Sequence, residues 1–171
     1  MVFSGTVVEA LSRRFLDFMR FRNPVEPPPQ PEAADRVRVL FLCLGNACRS
    51  QMAEAFAKGL YADIIEAESA GISPLGYVPE ETVATMSEKQ IEMQGHSSKG
   101  LNAFDVRSFD IIVNMSGFPF PPSIQKAVTI LEWDVDDPFT GSDRKYRKVR
   151  DDIEKRVKEL AMELRRQVAS V

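Results

Sequence analysis

The chain has 171 residues, 44% of them hydrophobic, which suits one domain with a real core. Lys and Arg total 22 against 25 Asp and Glu, a net charge of −3, and so mild a balance argues against a general nucleic-acid binder. Two cysteines and a single histidine, His96, make no metal-ligand set, so neither a metal nor a cofactor is expected.

The cysteine usage points to a reducing, cytoplasmic setting. No apolar run approaches a membrane span, and the N-terminus lacks the compact apolar core and small-residue cleavage site of a signal peptide.

Residues 1–23 read as an added amphipathic helix. Val7, Val8, Leu11, Phe15, Phe18 and Met19 fall at helical spacing, with Arg13, Arg14, Arg20 and Arg22 between them. Packing on its own domain or on a second copy, giving a homo-oligomer, is expected ahead of contact with a membrane surface. Residues 24–35 are a proline-rich, extended linker. The domain proper covers 36–171.

Arg36 to Cys43 is apolar nearly throughout, as in a central parallel strand buried on both faces. A helix follows over Ser50 to Tyr61, then a short strand over Ile64 to Ser69 and a loop from Ala70 to Gly76. Pro79 to Gln94 reads as the second helix, with Pro79 tolerated in its first turn and Gly95 as its stop. Phe109 to Met115 is a third strand, Phe118 to Pro122 a proline-broken loop, and Ala127 to Leu131 a fourth strand. Glu132 to Gly141 is a long acidic loop. In the last helix, Asp143 to Val168, an apolar stripe runs through Tyr146, Val149, Ile153, Val157, Leu160, Leu164 and Val168. Strands alternating with helices predict an α/β fold on a parallel sheet, with ligands bound at the carboxyl end of the first strand.

At that end lies Cys43-Leu44-Gly45-Asn46-Ala47-Cys48-Arg49-Ser50. A strand, a tight loop and a helix start are the parts of an anion site, because loop N–H groups and the helix dipole converge on one ligand. Gly45 is expected to supply backbone freedom, and Asn46 tolerates a left-handed conformation. Arg49 can fork two donors onto a tetrahedral anion. Cys43 stands at the mouth, in a field that favours thiolate. Ser50 is a natural helix cap, and its hydroxyl can also donate to a thiolate.

The Cys-x5-Arg-Ser loop with Gly-Asn inside it resembles the low-molecular-weight protein-tyrosine phosphatase family and its phosphatase-like arsenate reductases. The resemblance covers about residues 36–169. It implies a three-layer sandwich around a four-stranded parallel sheet of order 2-1-3-4. It implies Cys43 as nucleophile, Arg49 as oxyanion clamp, and Asp137 of Asp137-Pro138 as general acid, with Asp136 as the fallback. Leu44, Gly45, Asn46, Ala47, Cys48 and Ser50 would bind the substrate. Ser69 and His96 would support the loop, the first through Asn46 and the second from behind. Cys48 would form a reversible disulfide with Cys43, although it also reads as a small buried hydrophobe.

Some residues depart from the phosphatase pattern. Gln51 replaces a proline, and Arg-Ser-Gln-Met-Ala-Glu looks like the reductase branch. The cysteines of a thioredoxin-linked relay are missing, since no Cys follows Cys48 and Ser116 lies in the corresponding loop. Ala47 matches neither tyrosine- nor phosphoarginine-selective members. Phe139 replaces a flanking aromatic that is usually Tyr, and Tyr77 or Leu75 would form the opposite wall. The first expectation is a cysteine-dependent phosphomonoesterase acting on phosphotyrosine in proteins through a thiophosphate intermediate. The second is an arsenate reductase using glutathione, glutaredoxin or another small thiol. The third is a non-catalytic oxyanion-binding module, against which the intact Cys43, Arg49 and Asp137 speak.

Overall fold

The computed structural model describes residues 36–169. The amphipathic segment expected over 1–23 and the linker expected over 24–35 lie outside them. Four strands, β1 (Val37–Cys43), β2 (Ile65–Gly71), β3 (Ile111–Asn114) and β4 (Thr129–Glu132), form one sheet in the order β2-β1-β3-β4. All three pairings are parallel. This is the expected α/β order. Cys43 ends a central strand, in register with Gly71 of β2.

The alternation along β1 sends side chains to both faces. Val39 and Phe41 enter a core with Met52 and Phe56 of α1 (Arg49–Leu60) and with Tyr146, Val149 and Ile153 of α4 (Asp143–Val168). Leu40 and Leu42 pack on the other face against Phe109, Ile112, Phe120 and Val128. That outer layer is thin. Two 3₁₀ turns, Leu101–Ala103 and Val106–Ser108, and the short α3 (Pro122–Gln125) bring partly buried Leu101, Val106 and Ile124 onto it. The proline-broken loop thus ends in a helical turn, with Pro121 as N-cap and Pro122 as the first residue.

Three expectations change. The second helix, α2, spans Glu80–Ser87 and stops well short of Gly95. Gln90 turns the chain at φ 59°, after which Ile91 and Met93 are buried and Glu92 is exposed. That period-two burial needs extended chain, and a continued helix would not provide it. Gly95 makes a later turn at φ 81°. In α4 the apolar stripe is buried as far as Leu164, but Val168 is 51% exposed. Among the described residues, no helix is long and apolar enough to cross a membrane.

Candidate active site

The end of β1 delivers Cys43 to a pocket of about 320 Å³, lined by Leu44, Gly45, Ala47, Cys48, Arg49, Ser73, Leu75, Asp137 and Phe139 besides Cys43 itself. Cys48 is the N-cap of α1, no side chain caps that helix, and its first turn carries no acid. Its first N–H groups and positive dipole end are therefore left for an anion. Ser50 is not the cap. Its Oγ lies 3.0 Å from Cys43 Sγ. Asn46 Nδ2 donates to that Oγ at 2.9 Å, so with Cys43 as thiolate the Ser50 proton points at sulfur.

The loop is held from behind by a buried polar network. Asn46 adopts φ 45°, the left-handed conformation expected of it, while Gly45 is not among the positive-φ residues. Gly45 matters for space, since a Cβ there would lie 3.2 Å from Leu75 Cγ. Asn46 uses its side chain fully: Nδ2 donates to Ser50 and to Ser69 Oγ (2.8 Å), and Oδ1 accepts from Lys99 N (2.6 Å) and Gln51 Nε2 (2.9 Å). Ser69 in turn donates to Glu54, a carboxylate only 2% exposed that pairs with Lys58 at 2.5 Å. Gln51 Nε2 also donates to Asn46 O (3.1 Å) and Ser97 O (3.0 Å). Its Oε1 faces His96 Nδ1 at 2.8 Å. An amide oxygen only accepts, so Nδ1 carries the proton. Burial lowers the His96 pKa and favours the neutral ring, while Glu54 pulls the other way.

Ser69 and His96 thus stand where expected, behind the loop. Asn46 and Ser50, expected to bind substrate, are fully buried, and their side chains bond to one another, to Ser69 and to the Cys43 sulfur. Leu44, Gly45, Ala47 and Cys48 do line the pocket. Sequence reasoning missed Glu54 and took Gln51 for a departure, although it ties three backbone segments together. The available signal was a glutamine and a glutamate among the apolar residues Met52, Ala53, Ala55 and Phe56 of that helix.

Arg49 reaches the pocket with its plane fixed. Nη1 donates to Met115 O (3.0 Å) and Val135 O (3.3 Å), and Nη2 donates to Asp137 Oδ2 (2.6 Å). Asp137 Oδ1 accepts from Phe139 N at 3.1 Å, so a local Asx turn aims the carboxylate at the pocket. Asp136 faces away and pairs with Lys148 at 3.2 Å. Leu75 and Phe139 are pocket walls, whereas Tyr77 lies in a neighbouring groove. Ser116 closes a turn onto Asn114 Oδ1 at 2.6 Å and does not line this pocket. Cys48 is buried and unbridged, with its sulfur 3.6 Å from Tyr146 Oη. Burial raises its pKa, partly offset by Thr82 and Tyr146.

A nucleophilic sulfur below an open helix N-terminus, an arginine fork and a carboxylate at the mouth can attack a tetrahedral oxyanion and protonate an oxygen that leaves. Comparison with known proteins gives the family. The family model for low molecular weight phosphotyrosine protein phosphatase matches residues 38–119 and 123–170. A glutaredoxin arsenate reductase of Synechocystis sp. is 33% identical over 125 residues, covering 72% of this chain and 95% of the relative. An arsenate reductase of Bacillus cereus is 34% identical over 122 residues, covering 70% and 90%. Among solved structures, an arsenate reductase in the phosphate binding state aligns with TM-score 0.70 at 32% identity, covering 75% of this chain and 98% of that one. The YwlE arginine phosphatase from Geobacillus stearothermophilus aligns with TM-score 0.69 at 26% identity, covering 78% and 96%. The chain belongs to the low-molecular-weight phosphotyrosine protein phosphatase family, in the company of its arsenate reductases.

Proposed function

We propose that this protein is an arsenate reductase that draws its electrons from external thiols. The site serves either chemistry of the family, and the observation that carries the choice is that relatives at 33–34% identity, spanning 70–72% of the chain, are named arsenate reductases. This reverses the ranking expected from the sequence, where phosphotyrosine hydrolysis came first. Gln51, in place of the phosphatase proline, sides with the reductase reading.

In this scheme Cys43 thiolate attacks arsenic, with Arg49 and the loop N–H groups holding the remaining oxygens. Asp137 protonates the oxygen that leaves as water, and a sulfur–arsenic(V) adduct remains on Cys43. A thiolate then attacks Cys43 Sγ. The new S–S bond forms, the electron pair of the S–As bond passes to arsenic, and arsenite departs. A further thiol, from glutathione or glutaredoxin, reduces the disulfide, so two thiols are oxidised for each arsenic reduced. Such turnover needs reducing surroundings, which supports the cytoplasmic placement.

The pocket favours a second reading, phosphomonoester hydrolysis. At about 320 Å³, with Leu44, Leu75 and Phe139 around the oxyanion floor, it offers room for an aryl ring as well as for a thiol. The test is turnover of arsenate and of an aryl phosphate, each with and without glutathione and glutaredoxin. Thiol-dependent arsenite release at a kcat/KM above that for the aryl phosphate is expected. Brisk aryl phosphate hydrolysis with no arsenite would transfer the assignment to the phosphatase.

A further inference from the structure

The loop after β1 is a run of peptides whose orientation decides what it can hold. In a trans peptide the carbonyl and the following N–H point opposite ways, so a carbonyl held away from the pocket aims the next N–H into it. Along the first half of the loop the backbone provides this hold. Cys43 O accepts from Ile72 N (3.2 Å), Leu44 O from Ser73 N (2.9 Å) and Gly45 O from Leu75 N (3.0 Å), with Ser98 Oγ as a second donor to Gly45 O (3.2 Å). Any sequence that follows the same path after β2 supplies those backbone donors. The second half depends on side chains. Asn46 O accepts from Gln51 Nε2 at 3.1 Å, and Ala47 O from Thr82 Oγ1 at 3.1 Å. Thr82 belongs to the first turn of α2, is fully buried and does not line the pocket. A helical threonine can turn its hydroxyl back onto a carbonyl of its own helix. Here the proton goes to another segment. The hydroxyl also lies beside the Cys48 thiol, but its one proton is committed to Ala47 O.

We propose that Thr82 is a positioning residue of the oxyanion loop and acts together with Gln51. Thr82 turns the Cys48 N–H onto the bound anion, and Gln51 turns the Ala47 N–H. The assignment rests on the pocket being the anion site of the proposed reaction, and it holds for arsenate and phosphate alike. Ala47 and Cys48 line the pocket while Thr82 stands behind them, so an N–H directed away from Thr82 is directed at the anion. Donors fixed before the anion enters need no reorganisation when its charge arrives. Without the hydroxyl, Ala47 O loses its buried partner. The Ala47–Cys48 peptide is then free to rotate, and the Cys48 N–H leaves the anion.

Inorganic phosphate is the probe, since it binds without turnover and so stands apart from the arsenate reading. The chain has two cysteines, so full-length protein labelled with ¹⁵N-cysteine gives two amide signals, and Cys43→Ser identifies that of Cys48. In wild type the Cys48 amide proton should move downfield on saturation with phosphate. Thr82→Val keeps the shape and removes the hydroxyl. It should bind phosphate about tenfold more weakly, the effect of one hydrogen bond to a charged group, and lose most of the Cys48 shift. Thr82→Ser should restore both, and Thr82→Ala is read in the same way if the valine variant unfolds. Gln51→Met should also weaken phosphate binding while the Cys48 shift is kept. Unchanged affinity in a folded variant without the hydroxyl, or weaker binding with the full Cys48 shift, would overturn the role of Thr82. So would a serine variant that restores neither, because the methyl group would then carry the effect. Unchanged affinity in Gln51→Met would overturn the role of Gln51. Phosphate bound by wild type with an unmoved Cys48 amide would overturn the aiming of that N–H, whereas a wild type that binds no phosphate would remove the anion site itself.

Discussion

Arg49 Nη2 donates to Asp137 Oδ2 at 2.6 Å, across a boundary between an 11%-exposed guanidinium and a 47%-exposed carboxylate. The fork that would hold an oxyanion is therefore also the partner of the group that would protonate it. Arg49 is anchored on its other side by two backbone carbonyls, and the Asp137 carboxylate by the Phe139 N–H. An entering anion is expected to compete with Asp137 for Nη2.

Asp137→Asn should therefore separate binding from chemistry. Inorganic phosphate should bind several-fold more tightly, because a negative charge and a competitor for Arg49 are removed. Turnover should fall by about 10²–10⁴-fold with a poorly departing oxygen, and far less with an activated aryl ester. Asp136→Asn should change little, since its carboxylate is held by Lys148. A leaving-group series under single-turnover conditions reads this. Equal sensitivity in wild type and Asp137→Asn would remove Asp137 from the acid role.

His96 sets a pH dependence of stability. Burial lowers its folded pKa, so below its ordinary value of about 6.5 the unfolded chain takes up a proton that the folded chain resists. Its contribution to stability is full above that value and is lost as pH falls through the folded pKa. Urea midpoints should drop between pH 7.5 and 5.5, and His96→Gln should flatten that change. The same slope in the variant would show that His96 does not carry it.

Gly71→Ala should disable the site from outside the pocket. A Cβ there would lie 2.8 Å from Asn46 N and 2.9 Å from both Asn46 Cβ and Leu44 O, so the loop must shift. Overpacking of this kind costs roughly 1–3 kcal/mol. We expect a lower Tm and weaker phosphate binding. Unchanged values for both would mean that the loop has slack the packing does not suggest.

Much of this was legible in the sequence. The apolar run into Cys43-x5-Arg49 pointed to the loop that lines the pocket, and Asp137-Pro138 to the carboxylate that meets Arg49 there. The buried polar network was not legible as a whole. Ser69 and His96 were visible by resemblance, but Glu54 lies on a helix whose pattern reads only as apolar contact with the sheet. A charge buried there is intelligible only once Ser69 and Lys58 are seen beside it. The Tyr146 hydroxyl was hidden for a similar reason, since in the stripe of α4 its ring alone accounts for its place. The overlong second helix came from reading a turn glycine as the stop, while Gln90 made the left-handed turn earlier.

In the proposed reaction Cys43 takes the oxyanion and electrons then flow from thiols to arsenic. It is tested most directly by arsenite formation from arsenate in wild type and Cys43→Ser, with glutathione and glutaredoxin present and thiol loss followed in parallel. Wild type should form arsenite with two thiols consumed for each. Cys43→Ser should form none, while still binding inorganic phosphate through the backbone cradle and Arg49. Arsenite formed at the wild-type rate by Cys43→Ser, or none formed by wild type, would contradict the account.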